Sequence, residues 1–230
     1  MKTLTALPAL IIFFCVSVAA QDCSTFVNGA NGKKLTYINQ DAKGNKQMTM
    51  VYTATRKDAS TVAVHAEISD KNGKSMGTAD SEMICDGNAI KIDMKSFIPA
   101  ASMKQNMDMK ISGEAKYLTF PMSMQAGQSL DDGTVTIEMG SNGGPAIDMQ
   151  MDLADRKVEQ AETITTNAGS FDCFKITYSA TTKMKMAGIG IPFHMKVTEW
   201  YSPKLGRDVK SETYNKGGKL MGTMVLDSIK

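Results

Sequence analysis

Methionine is the residue type whose spacing in this sequence invites a chemical reading. Five M-x-M pairs stand at Met48/Met50, Met107/Met109, Met122/Met124, Met149/Met151 and Met184/Met186. On an extended strand, residues two apart share a face. Each pair therefore presents two thioethers to one side and sends Thr49, Asp108, Ser123, Gln150 or Lys185 to the other. Three kinds of chemistry fit. The thioethers can be flexible core filler in place of Leu, since the chain from Gln21 onward has 18 Met against 7 Leu. They can line an adaptable apolar cavity that repacks around lipids or other greasy ligands. Or they can converge on a soft ion such as Cu(I), although no His or Cys cluster accompanies them and His194-Met195 is the sole adjacent His–Met pair. The pairs at Met48, Met50, Met107, Met109, Met149, Met151, Met184 and Met186 are the candidate ligand-binding residues.

Catalytic motifs are thinner. Gly73-Lys74-Ser75-Met76-Gly77 matches G-x-S-x-G, but a nucleophile elbow needs a strand, a sharp turn and then a helix. This one continues the polar turn Asp70-Lys71-Asn72 toward another strand, and His65 and His194 are the only histidines available as bases. It reads as a hairpin. Gly188-Ile189-Gly190 is a lone G-x-G without a helix to hold a phosphate. Asp131-Asp132 and Asp152/Asp155 fall near turns and read as solvated loop ends. Trp200-Tyr201 reads as a core anchor or barrel plug. No P-loop, HExxH, C-x-x-C or calcium loop occurs. The expectation is a protein without catalysis, cofactor or bound metal.

The elements that must carry these residues follow from period-two alternation. Val62–Ile68, Ile90–Lys95, Met107–Ile111, Val135–Met139 and Ile147–Leu153 each put apolar residues on one face and polar ones on the other. Such segments are half-buried antiparallel strands. Turn chemistry separates them at Lys43-Gly44-Asn45, Asn72-Gly73, Asp86-Gly87, Asp132-Gly133, Asn142-Gly143 and Lys216-Gly217-Gly218. Ten to thirteen strands are expected, with one short helix around 96–106. The fold class is all-β and mainly antiparallel: a single domain over 21–230, as a curved sheet, open barrel or sandwich.

The segment 1–20, from Met1 to Ala20, reads as a secretory signal peptide. Lys2 supplies the positive start, Leu4 to Val18 the apolar run, and Val18-Ala19-Ala20 a small-residue cleavage site. The run is short for a membrane span. Cys15 follows Phe14 and Cys23 follows Asp22, so neither has the small residue that lipoprotein processing wants before its cysteine. Cleavage leaves Cys23, Cys85 and Cys173 in an oxidising compartment. One disulfide and one free thiol are expected; any of three pairings is open, with Cys85–Cys173 preferred because both lie in strands.

Composition narrows the partners. Lys+Arg 26 against Asp+Glu 24 leaves a net charge of +2, too balanced for a nucleic-acid footprint. At 7% aromatic residues, with no girdle pattern, an outer-membrane barrel is disfavoured. The chain is not expected to be an integral membrane protein. An apolar small molecule or lipid, or an envelope protein, is the expected partner.

Much of the chain resembles one family. The central match is Asp155-Arg156-Lys157-Val158, Glu162-Thr163-Ile164 and Ala168-Gly169-Ser170-Phe171-Asp172-Cys173-Phe174-Lys175-Ile176. The C-terminal match is Glu199-Trp200-Tyr201-Ser202-Pro203, Gly206, Val209 and Lys216-Gly217-Gly218-Lys219-Leu220. These are similar to the TapB-like exported proteins of bacteria, akin to a broader domain-of-unknown-function family of envelope proteins. The match departs at Arg207-Asp208, where a more apolar stretch would be in pattern. In strand pattern the family resembles the curved-sheet carriers of the LolA type, a likeness of fold that assigns no function. The resemblance implies a periplasmic or cell-surface protein and carries over no catalytic residue. Two readings follow: a Met-rich concave face that binds an apolar ligand, or a solid Met-rich core in an adaptor whose edges and loops meet another envelope protein.

Overall fold

The alternating segments become one hydrogen-bonded sheet in the computed structural model of the chain, which describes residues 23–97, 117–141, 144–186 and 189–230. Side chains are described throughout these except at 95, 137–141, 144–148, 185–186 and 189–191. Helix α1 (Cys23–Ala30) precedes twelve strands: β1 (Lys34–Asp41), β2 (Lys46–Arg56), β3 (Thr61–Asp70), β4 (Ser75–Cys85), β5 (Ala89–Asp93), β6 (Tyr117–Pro121), β7 (Gly133–Ser141), β8 (Gly144–Thr166), β9 (Gly169–Met186), β10 (Ile189–Ser202), β11 (Arg207–Asn215) and β12 (Leu220–Ile229). The order is β6-β5-β4-β3-β2-β1-β12-β11-β10-β9-β8-β7. Every neighbouring pair is antiparallel, and the sheet curls into a nearly closed barrel. The terminal strands β12 and β1 pair at its middle, Leu35 opposite Ile229.

Inward faces are apolar, as the alternation requires. Val62, Val64, Ala66 and Ile68 of β3 are buried while His65 and Glu67 are exposed. Met149, Met151 and Leu153 of β8 are buried likewise. Outward faces carry charge, with Lys57 paired to Glu82 at 2.6 Å and Lys91 to Asp86 at 2.7 Å. This polarity is the reverse of a lipid-facing barrel, and no helix among the described residues is long and apolar enough to cross a membrane.

The seam lies between β6 and β7. The segment joining them returns to β8, with Leu130 N–H on the Arg156 carbonyl at 2.9 Å and Gly127 N–H on that of Val158 at 2.8 Å. Gly133 is the first residue of β7 and not the hairpin turn expected from Asp132-Gly133. A Cβ there would sit 2.7 Å from Leu118 Cδ1 and 2.9 Å from Met94 Sδ, so glycine permits close passage under β6 and its neighbours. Among the other glycine turns, Gly44, Gly73, Gly87 and Gly218 have the positive φ expected of them, and Asn142-Gly143 lies outside the described residues.

Four further expectations need correction or placement. The expected pairing Cys85–Cys173 is wrong: Cys23 is bonded to Cys85, and Cys173 is free and buried. Cys85 ends β4 beside α1, whereas Cys173 lies on β9, far from β4 in the order of the sheet. Of the helix expected at 96–106, only a 3-10 turn at Met94–Phe97 is described. The remainder, together with the strand expected at Met107–Ile111 and the signal segment, lies outside the described residues. The helix that is present, α1, closes one end of the barrel through Cys23, Phe26, Val27 and Ala30, spaced i, i+3, i+4, i+7.

Candidate functional site

Between β2, β10, β11 and β12 the barrel does not fill. A cavity of about 490 Å3 runs along its interior, within the ~300–1,000 Å3 of ordinary ligand pockets. Toward the β1–β2 and β11–β12 turns the wall is mostly methionine, from Met48, Met50, Met195, Met221 and Met224 with Met151 of β8, and Asn39, Thr213 and Thr223 stand among them. The cavity reaches the surface at Met221, 51% exposed. Phe193, 56% exposed, stands two residues from Met195 on the same face of β10.

The opposite end, nearer α1, is polar. Along β10 the inward residues run Met195, Val197, Glu199, Tyr201. Glu199 is 3% exposed, and Ser211 stands directly across on β11. Tyr178 donates its hydroxyl hydrogen to Glu199 Oε2 at 3.1 Å, and Glu199 Oε1 has no partner. Burial, with the Asp208 charge adding to it, raises the Glu199 carboxyl from 4.5 to about 8, against the pull of Arg156 and the Tyr178 hydrogen bond. At neutral pH this is chiefly a carboxylic acid, and so a hydrogen-bond donor.

Arg207 completes this end. Its guanidinium lies over the Tyr52 ring, 3.9 Å from the centroid, and is 6% exposed. It touches the main cavity on one side and the small space beneath Ala30 and Leu205 on the other. Its Nε and Nη1 find no hydrogen-bond partner, and neither does the hydroxyl of Tyr201. Tyr37 donates to the Asp208 carbonyl at 2.8 Å and stands within hydrogen-bonding reach of the guanidinium. Burial raises the Asp208 carboxyl, opposed by Arg207. Among the described residues no ion pair joins Arg207 to a carboxylate.

Behind this floor Arg156 is locked into the seam. It is 1% exposed and donates from Nη1 to the Thr119 carbonyl (3.3 Å) and the Asp131 carbonyl (2.6 Å), tying the β6 side to the β7 side. Its guanidinium covers Phe120 at 4.6 Å, and Phe120 stacks on Tyr201 at 4.3 Å. This layer fixes the Tyr201 ring that lines the cavity.

The expected site residues divide. Met48, Met50 and Met151 line the cavity. Met149 is fully buried and packed in the core, and Met184 is half-buried against it. Met107, Met109 and the Met186 side chain lie outside the described residues. Met195, Met221 and Met224, none of them in an M-x-M pair, join the wall. Glu199 and Arg207 are not among the expected site residues, although each shares its strand parity with apolar residues: Val197 and Tyr201 for one, Val209 for the other. Trp200 is 7% exposed and belongs to the core cluster, as the core-anchor reading expects, and it does not line the cavity. It points away from Glu199 and Tyr201, between Lys175 and Lys210, and donates Nε1–H to Glu162 at 2.7 Å. Ser75 opens strand β4 and no helix follows it.

The sequence model described as DUF3108-like matches residues 30–226. Two solved structures share the fold. A Bacteroides fragilis protein described as exported and of YmcC-like fold aligns with TM-score 0.70 at 22% identity, covering 87% of this chain and 96% of its own. A Parabacteroides distasonis protein described as a lipoprotein aligns with TM-score 0.72 at 25% identity, covering 91% and 100%. None of the curated proteins matches the sequence.

Proposed function

The chain belongs to the DUF3108-like family, and on that premise we propose that it is an exported, non-catalytic binding protein of the bacterial envelope that holds an apolar, lipid-like ligand in its barrel. The observation that carries this is the cavity of about 490 Å3, walled by Met48, Met50, Met151, Met195, Met221 and Met224. A solid core at normal packing density leaves few voids larger than a water molecule. Unbranched thioether side chains adapt to ligands of variable shape, and half-exposed Met221 gives the ligand an apolar way in.

Export is supported by the signal-like segment from Met1 to Ala20 and by the descriptions of the two structural relatives as exported and as a lipoprotein. The disulfide suits an oxidising compartment. It also occupies the Cys23 sulfur, which is then not open to lipid attachment. The finer placement among TapB-like proteins rests on the motifs around Cys173 and Trp200 and is part of the proposal.

Native mass spectrometry of protein exported and purified from a bacterial envelope tests the reading. A reproducible lipid-sized adduct, released by organic extraction and lost when Met50 and Met151 are both replaced by Lys, is the expected result. A clean ligand-free mass would favour the adaptor, in which the face is core and partners meet the edges.

A further inference from the structure

A greasy cavity has no need of unpaired charge at one end, yet this one has it. Arg207, Glu199 and Tyr201 all line the cavity, and each carries at least one buried polar atom without a hydrogen-bond partner: Nε and Nη1 of Arg207, Oε1 of Glu199, and the hydroxyl of Tyr201. A buried polar atom left without a partner keeps its full desolvation cost, larger when the group is charged, so a cluster of three residues calls for a partner. The three share one character. The guanidinium and the phenol donate hydrogen bonds, and Glu199, held in its neutral acid form by burial, donates from its unpartnered oxygen. What completes such a set is a group of acceptors. Charge points the same way: Arg207 and Arg156 are both buried, and burial disfavours the charged form of the two carboxylates nearest them, Glu199 and Asp208.

We infer that the ligand is an anionic amphiphile, its carboxylate or phosphate head seated on Arg207, Tyr201 and Glu199 and its hydrocarbon tail lying along the methionine wall toward Met221. This rests on the lipid-binding reading and assigns the ligand's polarity and direction. The tail end is mainly apolar because Met48, Met50, Met195 and Met224 make up most of the wall there, with the uncharged Asn39 and Thr213 among them. The head end is deep because α1 and the Leu205-Gly206 turn close the barrel beyond Arg207. A guanidinium already lying flat on Tyr52 is oriented before the ligand arrives, so little side-chain freedom is lost on binding.

Isothermal titration of delipidated full-length mature protein with dodecanoate, dodecyl phosphate, methyl dodecanoate and dodecan-1-ol tests it. At least one anion should bind ten times or more tighter than both neutral compounds, a gap of about 1.4 kcal/mol or more; which anion does so separates a carboxylate from a phosphate source. Arg207→Met should erase that gap by weakening both anions toward the affinity of the neutral compounds. Tyr201→Phe, which removes one hydroxyl and no charge, should narrow the gap and serves if the arginine variant does not fold. Ester and alcohol binding as tightly as both anions overturns the head-group assignment while the apolar cavity stands. No binding by any of the four overturns both.

Discussion

Replacing Glu199 with Gln should change how stability depends on pH far more than it changes the fold. Gln keeps an oxygen for the Tyr178 hydroxyl and differs little in volume, so the contact at 3.1 Å survives. What disappears is an acid whose folded value is about 8 against 4.5 in the unfolded chain, raised first by burial. Between those values the folded state holds a proton that the unfolded state has lost. Unfolding therefore becomes easier as pH rises through the window. At about 1.36 kcal/mol per unit, the whole difference is about 5 kcal/mol, with about 3.5 kcal/mol of it falling between about pH 5 and pH 8. That is a large share of the ~5–15 kcal/mol by which a domain is stable. Urea unfolding of ligand-free wild type and Glu199→Gln across that range reads it directly. The wild type should lose stability with rising pH, the variant should lose much less, and their difference should grow steadily in the variant's favour. Taking the difference cancels the surface carboxylates that titrate equally in both. Parallel stability curves would refute the reasoning: Glu199 would then ionise as if solvated, and the floor of the cavity would be wet enough to hold a charge without penalty.

Reducing the Cys23–Cys85 bond, or Cys23→Ser, should cost about 4 kcal/mol by the chain-entropy relation for its separation of 62 residues, read as a fall in the urea midpoint; Cys173→Ser should leave the bond in place by intact mass. The Cys173 thiol is pushed up to about 12, chiefly by burial with the Asp172 charge adding to it, so iodoacetamide at pH 8 should leave it unmodified in the native protein and alkylate it after unfolding. Gly206→Ala should destabilise by more than about 1 kcal/mol: φ there is +64° and a Cβ would lie 2.6 Å from the Phe26 ring. Gly44→Ala, with φ +81° and open space, isolates the backbone part of that cost.

How much of this was legible depends on whether parity runs unbroken. In β3 it does, and the face seen in Val62, Val64, Ala66 and Ile68 is the buried one. In β8 it breaks. The register shifts around Asp155, whose φ is +58°, so the buried set passes from Met149, Met151 and Leu153 to Arg156 and Val158. A bulge changes which parity faces inward, and nothing in Ala154-Asp155-Arg156 announces one. The α1 plug was readable in its 23, 26, 27, 30 spacing but is only 8 residues long and stands directly after the signal-like run, where a strand-based reading does not look for a helix. The disulfide depended on that plug: until α1 is folded over the barrel end, nothing in the strand pattern brings Cys23 to Cys85.

The polar end of the cavity is a different case, because its parity is intact. Met195, Val197, Glu199 and Tyr201 alternate without a break, and Arg207 and Val209 likewise. Read for strands, a charged residue on an apolar face looks like a lapse in the pattern, and Arg207-Asp208 stood out in that way as a departure from the family resemblance. Read for energy it is the informative residue, since an arginine on the inward face of a barrel either finds a partner or carries a large desolvation cost. Here two of its nitrogens find none in the protein, while the described methionines include ordinary core, at Met83, Met94 and Met149, and cavity wall, at Met48, Met50 and Met151. Abundance marks the wall of the site, and the few residues that break the apolar pattern mark where its chemistry is.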